Sequence, residues 1–497
     1  MLSVKALSYR HAHAEGQALK NLTFTLEPGQ SLLLTGRSGS GKSTLLSILA
    51  GLYPHFLKGS LEGQALLDGQ EAGQGRVTEW GQGARLMLQN SEAQFFAGTV
   101  EEEVLLTLRC RGVTGAQADQ ITKERLGVMG LLNLREHSVF KLSEGQKQKA
   151  VLAALTALRP KLLLLDEPSA NLDPLFLADL KSVLKSLRKE GLALIVADHR
   201  LYWLQDLCEK LIVLDQGQIA FEGSFDHLNS SHLRQKLGLR SAQIPKAPKL
   251  PSPRDLKLPA LPKVEPVSQP DSLSSAPDHQ AKKEMAVTVK NLFFAYPDGQ
   301  ELFGGLSLSL AAGEVTALTG PSGRGKTTLA RLLCGLEKPL QGTVTYDGQK
   351  ADLKLGQVVL QNADHQLYMP TVLSEMVLAF GQGRLGPDIK AQAMELLEAF
   401  NLAPLADRHP QSLSGGEKQR LVVAVGLARP TKLLALDEPT SGLDGHNLSL
   451  MAKEIRKAAQ AGPAVLVVTH DLELVNLCAD RQLELFGPQA LKAQTAR

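Results

Sequence analysis

The chain of 497 residues is poor in aromatics, has only four cysteines and contains no long apolar run. At 4% Phe, Trp and Tyr it cannot build an array of stacking platforms for single-stranded nucleic acid. Cys110, Cys208, Cys334 and Cys478 form no CxxC pair, which excludes a disulfide framework and a zinc or iron–sulfur site. All four read as small buried hydrophobes. No apolar stretch approaches the ~20 residues that span a bilayer. The N-terminal MLSVKALSYR lacks a charged-then-apolar leader pattern, so the expectation is a chain on the cytosolic side without a transmembrane segment. Excess charge is also missing: 54 basic against 51 acidic residues gives +3, with no long basic run, which argues against a dedicated nucleic-acid binder.

What is present comes twice. A chain of this length exceeds one ordinary core, and its blocks repeat. GRSGSGKST (36–44) matches GPSGRGKTT (320–328), KLSEGQKQK (141–149) matches SLSGGEKQR (412–420), and LLLLDEPSANLD (162–173) matches LLALDEPTSGLD (433–444). Ser143 to Asp166 and Ser414 to Asp437 both span 23 residues, and Asp166 to His199 and Asp437 to His470 both span 33. The front halves differ: Lys42 to Gln89 is 47 residues, Lys326 to Gln361 only 35. An insertion in the Gly/Gln-rich stretch 69–83 of the first copy accounts for this. The second copy ends soon after LELFG (483–487), which predicts that it lacks the terminal hairpin strand of the first.

Residues 241–285 hold nine prolines and no Phe, Tyr or Trp, and read as an extended spacer reaching on the order of 100 Å. The expected domains are therefore 1–240 and 286–497, with a Pro-rich linker over 241–285. Within each copy, short apolar runs (SLLLTG, KLLLLDEP, LALIVADH) alternate with segments of helical period such as 175–191. That alternation predicts an α/β fold with a parallel sheet covered on both faces.

The motifs carry phosphate chemistry. Gly36, Ser38, Gly39, Gly41, Lys42, Ser43 and Thr44 follow a strand and open a helix, as do Gly320, Ser322, Gly323, Gly325, Lys326, Thr327 and Thr328. Glycines let successive N–H groups converge on phosphate oxygens, the lysine neutralises the β- and γ-phosphates, and the hydroxyl of Ser43 or Thr327 ligates Mg²⁺. Asp166 and Asp437, at the tips of apolar strands, need a cation beside them, and Mg²⁺ supplies it. Glu167 and Glu438 are then placed to take a proton from an attacking water. His199 and His470 end later strands at matched spacing and read as γ-phosphate contacts. Ser143 and Ser414 read as helix N-caps.

Together these blocks resemble the ABC-type ATPase family: a P-loop, a Gln loop, LSGG[EQ], an LLLLDEP strand, a downstream LD and a switch His. The resemblance covers nearly all of 1–228 and 286–487. It implies two P-loop NTPase domains in a head-to-tail sandwich formed within the chain, higher oligomers remaining open. One site would join the first P-loop, Asp166, Glu167 and His199 to Ser414, Gly415 and Gly416; the other would join the second P-loop, Asp437, Glu438 and His470 to Ser143 and Gly145. Asp173 and Asp444 would bridge the halves, while Gln89 and Gln361 would touch Mg²⁺ and the water. Tyr296 stands where the family stacks an aromatic on adenine; its counterpart in the first copy is His11, with Tyr9 two residues earlier. Glu144 replaces a glycine in the first signature, and its charge should make the site using Ser143 the weaker one.

LMLQNSEAQFF (86–96) and VVLQNADHQLY (358–368) sort the family further. Gln-Asn-x-acid-x-Gln followed by an aromatic resembles the Gln loop of energy-coupling-factor (ECF) transporter ATPases, and ADHRL (197–201) is similar to their switch region. The resemblance implies a peripheral ATPase pair on the cytoplasmic face of the cell membrane. It would drive a transmembrane coupling subunit and a small substrate-binding membrane subunit, importing a vitamin or transition-metal ion. Fused pairs of this kind most resemble cobalt and hydroxymethylpyrimidine/thiamine importers. A duplicated sugar-importer ATPase, or a soluble ABC ATPase of translation or DNA repair, stays open. The residues at 95–96 and 367–368 either grip the membrane partner or pack inside their own domain.

Overall fold

The computed structural model describes residues 1–73, 80, 83–170, 172–228, 231–243, 285–296, 299, 301–350, 355–380, 387–487 and 490–495. Most of the spacer expected over 241–285 lies outside these residues. The chain divides into two compact units, Met1–Pro245 with Thr440–Leu450, and Lys246–Pro439 with Met451–Arg497.

In the first unit the described strands are β1 (Leu2–His11), β2 (Leu19–Leu26), β3 (Ser31–Gly36), β4 (Gly59–Leu67), β5 (Gln70–Glu71), β6 (Ala84–Met87), β7 (Leu162–Asp166), β8 (Ala193–Ala197), β9 (Lys210–Asp215) and β10 (Gln218–Gly223). They form an antiparallel sheet, β2-β1-β4-β5, and a second sheet, β10-β9-β3-β8-β7-β6. In the latter β3 and β6–β9 run parallel and β10 closes the edge antiparallel.

Every residue of β3, β7 and β8 is buried, as continuous apolar runs require of strands covered on both faces. The period of two sorts them between two cores. Leu33, Leu163, Leu165, Leu194 and Val196 join the core that includes residues of helices Glu144–Thr156 and Pro174–Lys189. Leu32, Leu34, Leu162, Leu164, Ile195 and Ala197 join the core shared with the antiparallel sheet and helix Lys42–Leu49. This places the polar ends of β3, β7 and β8 at one rim of the sheet.

The second unit repeats the plan with β11 (Met285–Ala295), β12 (Glu301–Ala311), β13 (Val315–Thr319), β14 (Gln341–Tyr346), β15 (Gln349–Lys350), β16 (Gly356–Val359), β17 (Leu433–Asp437), β18 (Ala464–Val468), β19 (Arg481–Gly487) and β20 (Ala490–Thr495). Its sheets are β12-β11-β14-β15 and β16-β17-β18-β13-β19-β20.

Three expectations are corrected. The second copy does have its terminal hairpin: β20 pairs antiparallel with β19, from Arg481↔Thr495 to Gly487↔Ala490. ALKAQT carries too few apolar residues to read as a strand, because an edge strand needs little burial. The front-half insertion is split. Lys42 to Leu67 is 25 residues against 20 for Lys326 to Tyr346, so five extra residues precede the matching Asp-Gly turns and only seven follow them. Residues 74–79 and 81–82 of that stretch lie outside the described residues; Trp80 is buried, its Nε1 donating to Leu49 O at 2.9 Å. Finally, Cys208, Cys334 and Cys478 are buried but Cys110 is exposed, at the C-cap of helix Val100–Arg109.

Candidate active site

Each P-loop is shaped by backbone that tolerates no side chain. Gly36 has φ 143°, and a Cβ there would lie 2.0 Å from Leu214 O; on Gly320 (φ 133°) it would lie 2.3 Å from Leu485 O. A Cβ on Gly39 or Gly323 would meet nothing within 4 Å, so each loop faces open space where an anion fits. Gly41 and Gly325 adopt left-handed conformations that start helices Lys42–Leu49 and Lys326–Leu333. Lys42 Nζ is held by Gly36 O (2.9 Å) and Arg37 O (3.0 Å), and Lys326 Nζ by Gly320 O (2.8 Å) and Pro321 O (2.9 Å). Burial lowers the Lys42 amine below its ordinary value, and the nearby carboxylates oppose this. The Ser38 amide donates to Asp444 Oδ2 at 2.8 Å, within the segment Thr440–Leu450 that belongs to the first unit.

Parallel pairing of β3, β7 and β8 brings Asp166, Glu167 and His199 to the same rim. Burial pushes Asp166 up to about 6, against the hydrogen bond from Ser43, and its buried Oδ1 has no hydrogen-bond partner. Thr327 Oγ1 donates to Asp437 Oδ2 at 2.7 Å, and burial likewise raises Asp437. A buried carboxylate beside the hydroxyl of a P-loop helix, with one oxygen left unused in Asp166, fits Mg²⁺, which takes one or two carboxylates and fills its shell with phosphate oxygens and water. Among the described residues no cluster of three His, Cys, Asp or Glu offers a dedicated metal cage, consistent with that mode.

Glu167 and Glu438 both sit at positive φ (50° and 48°), an uncommon conformation for a non-glycine residue. The amides that follow the strands are fixed by Ala197 O and Val468 O, each at 2.8 Å. Glu167 Oε1 lies 3.4 Å from His199 Nε2, and Glu438 Oε1 lies 3.9 Å from His470 Nε2. Burial raises the Glu167 carboxyl, but His199 and Lys42 together outweigh it and hold the group below its usual value. In the second copy Thr469 Oγ1 (3.2 Å) and the His470 amide (3.1 Å) donate to Glu438.

The Gln loops are built alike. Gln89 and Gln361 are both exposed, and Gln89 Nε2 donates to Glu167 Oε2 at 2.8 Å. Asn90 and Asn362 accept the amides of Glu92 (3.1 Å) and Asp364 (3.0 Å), capping one short 3-10 turn each. Gln94 binds Leu88 N and Leu86 O, and Gln366 binds Leu360 N and O. The acid reaches the signature helix: Glu92 pairs with Lys147, and Asp364 with Lys418 at 2.6 Å. Buried Glu103 then accepts the amides of Phe96 (2.9 Å) and Ala97 (2.8 Å), and Glu375 those of Tyr368 and Met369. The side chains at these positions split. Leu367 is buried and Phe95 packs against the core, whereas Phe96 and Tyr368 are 82% and 77% exposed.

Ser143 and Ser414 form capping boxes with Gln146 and Glu417 at the starts of helices Glu144–Thr156 and Gly415–Ala428. These residues, with Gly145, Gly415 and Gly416, stand on a different element from the P-loop and Glu–His groups of their own copies. Gly145 has a packing reason of its own: a Cβ would lie 2.2 Å from the Phe176 ring. Glu144, in the first of these helices, pairs with Lys147 Nζ at 2.9 Å, and the same ammonium also pairs with Glu92. Tyr296 OH bonds Thr328 Oγ1 at 2.7 Å, and His11 Nε2 stands 3.3 Å from Thr44 Oγ1, the matching P-loop residue. Tyr9 is buried and donates to Lys58 O, so His11 is the structural counterpart of Tyr296.

Sequence reasoning held Asp198 and Arg200 only as part of ADHRL, and missed Ser169, which joins them in knitting the first switch segment, and Glu103 and Glu375. A Glu seven residues beyond each aromatic was the available signal for the latter.

The ABC transporter family model matches residues 19–170 and 303–441. A Treponema denticola protein named "Putative ABC transporter ATP-binding protein" is 33% identical over 99% of this chain and 96% of its own. A Bacillus subtilis protein named "Putative HMP/thiamine import ATP-binding protein YkoD" is 35% identical over 98% and 90%. Among solved structures, the complex of the archaeal ribosome recycling factor aABCE1 with stalk protein aP1 aligns with TM-score 0.63 at 22% identity, covering 99% of this chain and 90% of that one, a likeness of fold alone. With two P-loops, two strand-end Asp-Glu pairs and full-length relatives of this kind, the chain belongs to the ABC transporter family, as a duplicated ATPase that binds ATP with Mg²⁺.

Proposed function

We propose that the chain is the energising subunit of an ECF-type membrane importer, with 1–240 and 286–497 as its ATPase domains and 241–285 as their tether. The observation that carries this reading is the pair of exposed aromatics, Phe96 and Tyr368, presented by Gln loops of matching construction. A single exposed aromatic is ordinary on a protein surface, but here the same position in both Gln loops carries one, each fixed by backbone bonds to a buried glutamate, and that repetition supports a contact surface. The loop that presents it also bears Gln89, which binds the Glu167 carboxylate, so a partner pressing on the aromatic acts on the hydrolytic site. The HMP/thiamine import name of the B. subtilis relative favours a vitamin as cargo. No helix of the described residues is long and apolar enough to cross a membrane.

At each site Lys42 or Lys326 holds the β- and γ-phosphates, His11 or Tyr296 covers the adenine, and Glu167 or Glu438 takes the proton of the attacking water. Ser43 with Asp166, and Thr327 with Asp437, would hold Mg²⁺, which would supply charge neutralisation to the triphosphate. His199 and His470 orient the carboxylate and face the γ-phosphate. In the family's arrangement Ser143 and Ser414, with Gly145, Gly415 and Gly416, complete the sites.

Affinity purification from detergent-solubilised membranes tests the assignment. Stoichiometric small integral membrane proteins, lost on Phe96→Asp with Tyr368→Asp, are expected. Co-purifying ribosomes or DNA in their place would overturn it in favour of a soluble ABC ATPase.

A further inference from the structure

The strand end that carries His199 is built differently in the two copies. In the first, buried Asp198 accepts Ser169 Oγ (2.8 Å) and the Arg200 amide (2.8 Å) on Oδ1, and the Ser169 amide (3.2 Å) on Oδ2. Its carbonyl accepts Thr35 Oγ1 from the neighbouring strand at 2.8 Å. Arg200 is only 5% exposed, and its Nη1 donates to Ser169 O (3.3 Å) and Leu172 O (3.2 Å). Those two carbonyls bracket the loop that leaves Glu167 and enters Asp173, which caps helix Pro174–Lys189 through the Phe176 amide at 2.9 Å.

Burying a guanidinium is costly unless its hydrogen bonds are made, and Arg200 makes them to these two carbonyls. The fold itself does not need it here. The second copy forms the same strand with Thr469 and Asp471 at the matching positions, and Asp471 caps helix Leu472–Cys478 through the amides of Glu473 (3.1 Å) and Leu474 (3.4 Å). The two copies also steady their glutamates differently. Thr469 donates directly to Glu438, whereas Asp198 and Arg200 grip the loop that follows Glu167.

We propose that Arg200 is a positioning residue for ATP hydrolysis in the first copy. It ties the Ser169–Leu172 loop to the switch segment, and so keeps Glu167 and His199 in register at 3.4 Å. The proposal rests on Glu167 being the base of that site. The Arg200 guanidinium is buried and donates to backbone carbonyls, so it acts through the backbone that carries both groups, and small misplacements of such groups cost roughly 100-fold in rate.

The test compares Arg200→Ala, Arg200→Gln and Arg200→Lys with Glu167→Gln in the full chain. It reads steady-state ATP turnover, binding of a fluorescent ATP analogue and melting temperature. Arg200→Ala is expected to drop kcat toward the level that Glu167→Gln leaves, with KM and analogue affinity within about twofold of the unaltered chain. Arg200→Lys restores part of the rate, and Arg200→Gln, which keeps two N–H donors, lies between. Wild-type kcat in Arg200→Ala beside a depressed Glu167→Gln overturns the role of Arg200 alone. So does a rate loss that follows the melting temperature across all three variants. Wild-type kcat in Glu167→Gln removes the base assignment and this proposal with it.

Discussion

Gln89 Nε2 and Glu167 Oε2 are 2.8 Å apart, although 78 positions separate them in the chain. The loop that presents an aromatic to the surface therefore shares a hydrogen bond with the carboxylate proposed as base. The other oxygen of that carboxylate faces His199, and this opposition sets its protonation. Burial alone would raise Glu167; His199 and Lys42 bring it below its usual value. His199→Ala removes the leading opposing influence, so the Glu167 pKa rises and the base is protonated at higher pH. The acid limb of the kcat–pH profile is expected to move toward neutrality, and a limb that stays in place contradicts the pairing.

Asp166 tests the metal site through stability. Its folded pKa, about 6, stands above the ordinary 3.8, so the charged form is disfavoured by folding. The sign follows: destabilisation is absent below pH 4, grows between 4 and 6, and is complete above 6. Asp166→Asn is therefore expected to stabilise the nucleotide-free protein at pH 8 by about 1–3 kcal/mol while abolishing Mg²⁺-dependent ATP turnover at its site. Urea melts at pH 4 and pH 8 read the difference, which should vanish at the lower pH.

Lys42→Ala combined with Lys326→Ala removes both ammonium groups that the P-loops enclose. ATP turnover should fall by roughly 100-fold or more, since charge stabilisation of the transferring phosphoryl is the main catalytic term. Retained turnover would refute the site assignment outright.

Tyr296→Ala should weaken nucleotide binding at the second copy through loss of base stacking, about 1–3 kcal/mol. Tyr296→Phe keeps the ring and loses only the hydroxyl contact to Thr328. Titration with a fluorescent ATP analogue is expected to show near-normal affinity for the Phe variant and a clear loss for Ala.

Gly145→Ala addresses packing rather than ATP. Its Cβ would lie 2.2 Å from the Phe176 ring, an overlap expected to cost about 1–3 kcal/mol in the first unit. Thermal melting should show the loss, and Phe176→Leu in the same chain should recover part of it.

The P-loops, the Asp-Glu strand ends and the Gln loops were legible because each is a local string whose chemistry depends on order along the chain. The N-caps Ser143 and Ser414 were legible for the same reason, and the structure completes each as a capping box with Gln146 or Glu417 three residues on. Strand β20 was not, because an edge strand is specified by its partner β19 and not by its own hydrophobicity. The ion pair between Glu144 and the lysine one helical turn away was not read from the sequence either, because it depends on the helix that brings the two together.

By itself the sequence determined the duplication, the α/β plan and the fuel, since phosphate chemistry needs glycine, lysine, hydroxyl and carboxylate at fixed spacing. Only the tertiary structure decided between His11 and Tyr9, and which of Phe95 and Phe96 faces water. It alone disclosed that buried Arg200 grips the loop beside Glu167. Those outcomes depend on pairing between strands and on burial, which bring together residues that no spacing along the chain relates.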